Sequence, residues 1–207
     1  MGKIFHYENP VWMFLGKLVD FVVLTGLWLI CSVPVITIGA STKALYAVSM
    51  RLSKNEEGYI IPSFFKEMKE GFLSSTLLGL LVLAIGAFLA SDLYVYWHME
   101  NKAGAFLFAV FFILTVLYLL TISYLFPMMA ATGYRGKQVL MAAFVTAMKN
   151  PGWALLMILV MACVLAVGIL ILAPVLVIGI GFAAYIQCKI TTLVMKHYHI
   201  KSDLQQA

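Results

Sequence analysis

Long apolar runs dominate this chain, and short polar breaks divide them into lengths that fit a membrane. Residues 18–39, 73–96, 106–131, 153–172 and 175–194 are each long enough to cross a hydrocarbon core about 30 Å thick. The run from Trp153 to Val194 is apolar for roughly forty residues, about twice what one straight span needs. It therefore reads as two spans joined by a tight turn at Ala173-Pro174. Residues 106–131 are generous for one crossing and predict a tilted helix.

Between the spans the pattern turns amphipathic. Residues 41–54 place Leu45, Val48 and Leu52 on one helical face, with Lys43, Arg51 and Lys54 supplying charge. Asn55-Glu56-Glu57-Gly58 is a turn. In residues 62–72, Phe64, Phe65, Met68 and Phe72 recur at helical spacing against Lys66, Glu67, Lys69 and Glu70, with Ser63 as N-cap. A third such segment follows Arg135 and Lys137, carries Phe144 and Met148 on its apolar side, and ends at Lys149. Asn9-Pro10 opens a lead-in helix anchored by Trp12. Tyr94, Tyr96 and Trp97 form an interfacial aromatic cluster. The expected fold is all-α: a polytopic transmembrane helical bundle with about five spans and amphipathic cytoplasmic elbow helices, one integral membrane domain over residues 1–207.

Composition supports lipid as the main solvent. Of 207 residues, 63% are hydrophobic and 11% charged, against about half and a quarter in soluble domains. The net charge of +5 reads as a topology signal and not as a nucleic-acid footprint. With loops on alternating sides, eleven of the fourteen basic residues share one side; Lys3, Lys17 and Lys102 take the other. The positive-inside rule then puts the N-terminus outside and the C-terminus in the cytoplasm. A competing arrangement starts inside, with residues 18–50 dipping as a hairpin at Pro34. Ser41, Thr42 and Lys43 make its second arm a poor membrane segment.

The most particular stretch is Pro34–Thr42, where an apolar helix meets a proline and then small and hydroxylated residues. Two readings stand. Pro34 ends the span and the hydroxyls cap the next helix. Alternatively Pro34, Thr37, Gly39, Ser41 and Thr42 form a cytoplasm-facing binding site of unwound backbone and hydroxyls, as broken transporter helices do. Asp20, Asp92 and Lys189 are intramembrane ionisable candidates for a substrate or proton site. Against that, each lies near enough to a span end to snorkel or pair, Asp20 with Lys17.

Gly79, Gly86, Gly179 and Ala183 fit close helix contacts. Cys31, Cys163 and Cys188 sit in apolar runs without metal-ligand spacing. His98 belongs to the outer interface, while His197 and His199 lie on a polar tail. There is no HExxH, GxSxG or phosphate-loop motif, so no enzyme, cofactor or metal is expected. Lys3, Glu8 and Lys17 argue against a cleavable signal, and His6 against myristoylation. Phe64 and Phe144, Met68 and Met148, Lys69 and Lys149 match at one offset, and Pro34 and Pro127 each end a span. That is the pattern of a duplicated unit, or of chance in biased sequence.

At Phe5-His6-Tyr7-Glu8-Asn9-Pro10, Ser32-Val33-Pro34-Val35-Ile36-Thr37-Ile38-Gly39-Ala40-Ser41-Thr42, Glu56-Glu57-Gly58-Tyr59 and Ser63-Phe64-Phe65-Lys66, the chain resembles the YesL-like family of bacterial multi-pass proteins, a domain of unknown function. The resemblance implies an inner-membrane protein associated with carbohydrate utilisation and its sugar transporters, and carries no catalytic residues. The expected function is a non-enzymatic accessory or regulatory component linked to carbohydrate uptake, touching the lipid bilayer and either a carbohydrate transporter complex or further copies of itself. A small transporter acting alone or as an oligomer is the alternative.

Overall fold

In lipid, a backbone must satisfy its own polar groups, and helix is the simplest way to do so. The computed structural model describes residues 10–54, 59–99, 101–170 and 173–198, and among them there is no strand. The elements are α1 (Pro10–Ser32), a 3-10 turn (Val35–Thr37), α2 (Ile38–Ser53), α3 (Ile60–Lys69), α4 (Phe72–Trp97), α5 (Lys102–Thr132), α6 (Lys137–Lys149), α7 (Pro151–Leu170) and α8 (Ala173–Tyr198). Among the described residues, four segments are long and apolar enough to cross a membrane: Phe72–Trp97, Lys102–Thr132, Pro151–Gly168 and Ile178–Lys196. The 31 residues of α5 measure about 46 Å, so a crossing by this helix is tilted or protrudes. The protein is an all-α polytopic bundle.

The expected span over residues 18–39 is redrawn. Lead-in and span are one continuous helix, α1, which stops at Ser32. Pro34 stands two residues beyond in extended conformation (φ −75°, ψ 116°), and Gly39 belongs to α2. A proline restricts the residue before it, so the chain leaves the helix ahead of the ring. Pro127 behaves otherwise. It does not end the third span: α5 runs through it to Thr132. A buried proline in a packed helix loses one donor, and its neighbours tolerate the loss. The stop comes at Gly133, whose left-handed backbone (φ 70°) returns its N–H to the Met129 carbonyl at 3.2 Å. The expected turn at Ala173-Pro174 also moves. α8 already begins at Ala173, so Pro174 occupies a first turn, where a missing donor costs nothing.

The largest departure concerns α2. Read as a surface elbow, it is instead buried from Gly39 to Met50, with Thr42 alone partly exposed. It packs against α1, α3, α4, α5 and α8. α4 pairs with α5, α7 with α8, and α1 lies on α8. The contacts of α2 fall near the start of α4 (Ser75, Gly79), the last turns of α5 (Phe126) and the later half of α8 (Gln187, Cys188). Because the spans alternate in direction, these points share one end of the bundle. Lys66, Lys69, Arg135, Lys137 and Lys149 belong to the same end, hereafter the basic end, and Lys102 to the opposite one. Helix α2, about 24 Å long, touches five other helices at the basic end and so serves there as a cross-member.

The elbows differ from one another as well. In α3, Phe64 is fully buried and Met68 packs on the core, while Phe65, and Phe72 at the start of α4, face outward. In α6 the packing face is Val139, Ala142, Ala143, Thr146 and Ala147, and Phe144 and Met148 are turned away from the protein. Phe64 and Phe144 thus face opposite ways, and no helix between α5 and α6 corresponds to α2, so the matched positions are not structurally equivalent. Expectations for residues 1–9, the Trp12 side chain, the turn at residues 55–58 and the tail beyond residue 198 lie outside the described residues.

Candidate functional site

The stretch after Pro34 folds into the joint that turns α1 into α2, and three of its side chains are occupied within that joint. Thr37 Oγ1 lies 2.6 Å from the Cys31 carbonyl and 2.8 Å from that of Pro34. Its hydroxyl therefore serves the open carbonyls at the end of α1. Although Thr37 holds the N-cap position of α2, its side chain makes no cap bond there. The capping runs backward, to the helix behind. Ser41 Oγ is 2.8 Å from Ser32 Oγ and donates to the Ile38 carbonyl at 3.1 Å. Trp28 Nε1 donates to Thr42 Oγ1 at 3.1 Å. Gly39 is the point where backbones meet. A Cβ built on it would sit 2.1 Å from the Ser75 carbonyl oxygen and 2.9 Å from Gly79 Cα. Only hydrogen fits between α2 and α4 at this crossing. Of the five candidate residues, Pro34 alone is exposed, beside the exposed apolar side chains of Val33, Val35 and Ile36.

Beyond this joint, α2 carries two polar constellations that the local sequence pattern does not announce. The first is electrostatic. The buried Lys43 ammonium donates to the carbonyls of Glu67 (3.1 Å) and Glu70 (2.7 Å), at the C-terminal end of α3. It also stands 3.6 Å from Glu67 Oε2. A cation among the last carbonyls of a helix satisfies otherwise open acceptors and opposes the negative end of the dipole. Arg51 completes the group with a 2.6 Å bond to Glu67 Oε1. Glu67 is thus held between two cations of α2, and α3 is fastened to the cross-member.

The second constellation lies in the core. Tyr46 donates its hydroxyl to Gln187 Oε1 of α8; Gln187 Nε2 donates to the Met157 carbonyl of α7 at 3.1 Å. Cys188 Sγ donates to the Tyr46 carbonyl at 3.3 Å, and the Tyr46 ring stacks on Phe126 of α5. One residue of α2 therefore ties three spans together. Burial pushes the Tyr46 phenol well above its usual range, with Cys188 acting in the same direction, so it remains a neutral donor. A glutamine inside an otherwise apolar span was the available sequence signal, since a polar group at that depth needs a partner.

The ionisable candidates are not gathered. Asp20 on α1 feels the charge of Lys17, three residues earlier. Asp92 lies near the far end of α4, with its Oδ2 buried and without a hydrogen-bond partner among the described residues. Lys189 on α8 places its Nζ 4.9 Å from the centroid of the Tyr185 ring, a cation–π contact. No hydrogen bond or ion pair joins any two of the three. Among the described residues, no three His, Cys, Asp or Glu side chains converge, and Cys31, Cys163 and Cys188 are free thiols. The small residues do make close contacts: Gly79 meets Gly39, Gly86 meets Tyr118, Gly179 meets Val164, and Ala183 is fully buried.

Residues 21–93 match the sequence model of a family described as a protein of unknown function, DUF624. No curated protein and no solved structure matches the chain. The matched region runs from Phe21 of α1 into the last turns of α4. It contains the Pro34 joint, all of α2, the Lys43–Glu67–Arg51 group and the Gly39–Gly79 contact.

Proposed function

We propose that this multi-pass membrane protein is a YesL-like, non-enzymatic accessory or regulatory component of bacterial carbohydrate uptake, residing in the inner membrane. In this reading the basic end faces the cytoplasm, as the positive-inside rule directs, and the N-terminus lies outside. The carbohydrate role follows from the family resemblance, and the region that carries most of the resemblance is the one matched by the family of unknown function.

The observation that carries an accessory role is the cross-member. A solute path through the bundle has to leave by the basic end, and α2 is packed among five helices there. Its glycine touches α4, Tyr46 binds α8, and Lys43 holds α3. Its polar groups are directed at other parts of the same chain. What remains outward at this end is the exposed surface of α3 and α6, suited to contact with another membrane component.

Affinity purification of the native protein in mild detergent tests this reading. A sugar transporter recovered in stoichiometric amount is the expected result. Uptake of a labelled sugar by the purified protein alone, in liposomes, would overturn it in favour of a self-sufficient transporter. Orientation is checked separately by cysteine labelling in a Cys-free background. A cysteine at Lys102 should react from outside and one at Lys54 only after permeabilisation; the reverse pattern inverts the map.

A further inference from the structure

Helix α6 carries apolar residues on two opposite faces. One face rests on α5 through small side chains, as described above. The opposite face carries Leu140, Met141, Phe144, Val145 and Met148, all exposed, with Met141 at 67% and Phe144 at 46%. Both faces are therefore largely apolar; apart from the buried Thr146, the polar residues Lys137, Gln138 and Lys149 sit at the ends. Arg135 and Lys137 stand at its beginning and Lys149 at its close, each exposed. The twelve steps from Lys137 to Lys149 put the two ends about 18 Å apart.

These cations have no counter-charge of their own. No Asp or Glu occurs between Lys102 and Lys201. Glu67 already holds Lys43 and Arg51, and Glu70, beside Gly71, makes no ion pair with Arg135 among the described residues. Arg135, Lys137 and Lys149 make no ion pair among the described residues. Arg135 instead lies over the α3–α4 joint, its Nε 3.3 Å from where a Cβ on Gly71 would stand. A helix that is apolar around its girth and cationic at both ends suits the hydrocarbon just beneath a headgroup layer. The charges then reach up into that layer, where negative charge is supplied by the lipid.

We propose that α6 lies within the leaflet at the basic end, and that Arg135, Lys137 and Lys149 bind the headgroups of anionic phospholipids. The surface is a lipid seat. The choice of occupant rests on charge complementarity together with the exposed apolar face between the charges, which a water-soluble acidic protein would leave uncovered. This inference depends on membrane insertion and not on the carbohydrate role, so either can fail alone.

The test is native mass spectrometry of the full-length protein titrated with phosphatidylglycerol and with phosphatidylcholine. The wild type is expected to retain phosphatidylglycerol in preference. The triple variant Arg135→Gln, Lys137→Gln, Lys149→Gln should lose that preference by on the order of tenfold or more. Lys102→Gln, at the opposite end, should keep it. A triple variant that stays monodisperse and retains the preference overturns the proposal, as does an equal loss in Lys102→Gln. If the triple variant fails to fold, the wild type still decides. Its preference for phosphatidylglycerol should fall as salt rises, and a salt-independent preference refutes a headgroup seat. Loss of a co-purifying acidic protein from the triple variant, with lipid preference unchanged, would assign the surface to a protein and overturn the proposal.

Discussion

Replacing Gly39 with alanine should destabilise the protein, although alanine is the better helix former. On an open helix surface the exchange gains up to about 1 kcal/mol. Gly26 of α1 is such a position, with nothing within 4 Å of a built Cβ. At Gly39 the new methyl would meet the Ser75 carbonyl oxygen at 2.1 Å and Gly79 Cα at 2.9 Å. Both obstacles are backbone, so neither can rotate aside, and α2 must move away from α4 by on the order of 1 Å. Overpacking of this kind costs about 1–3 kcal/mol, and an immovable neighbour places it at the upper figure. Subtracting the gain in propensity leaves a net loss of about 2 kcal/mol. For a chain of this size that corresponds to a fall of roughly 4–8 °C in melting temperature. Thermal unfolding in detergent, followed by size-exclusion chromatography, measures it for Gly39→Ala and Gly26→Ala side by side. Opposite signs are expected. A Gly39→Ala protein as stable as Gly26→Ala would refute the close crossing and the cross-member argument built on it.

The electrostatic fastening should be sensitive to its shared carboxylate. Glu67→Ala is expected to cost about 2 kcal/mol, less than a fully buried pair because Arg51 is partly solvated and Lys43 keeps two carbonyls. The double variant with Lys43→Met should recover part of that loss in a double-mutant cycle; strict additivity would show that the two residues do not interact. Tyr46→Phe leaves Gln187 Oε1 without its donor and should cost about 1–3 kcal/mol. Pairing it with Gln187→Leu should cost less than the two single changes summed, and an equal or larger cost would argue against the bond.

Much of the fold was legible because apolar length is a local property. Residues 73–96 and 106–131 read as spans, and the observed helices extend them by one to four residues at each end. The glycine contacts were legible for the same reason: small residues in an apolar helix have few other uses. The position of α2 was not. Its Lys43 and Arg51 look like surface residues until their partners are known, and those partners lie on and just beyond α3. Lys43 is answered by carbonyls 24 and 27 residues ahead, and Tyr46 by a glutamine 141 residues away. Periodicity within a window cannot see either. At the candidate site the residue types were recognised and their direction was not, since Thr37 stands at the start of one helix but serves the end of another.

The reach from Tyr46 to Gln187 also fixes an order of events during synthesis. At about 5–20 residues per second, α8 leaves the ribosome on the order of ten seconds after α2. For that interval the tyrosine hydroxyl and the apolar face meant for α8 are without their partners, in a nascent protein already entering the membrane. Helix α2, enclosed by five others, is among the first made and the last to be completed. A truncation before α8 would hold the molecule in that unfinished state, visible to membrane quality control.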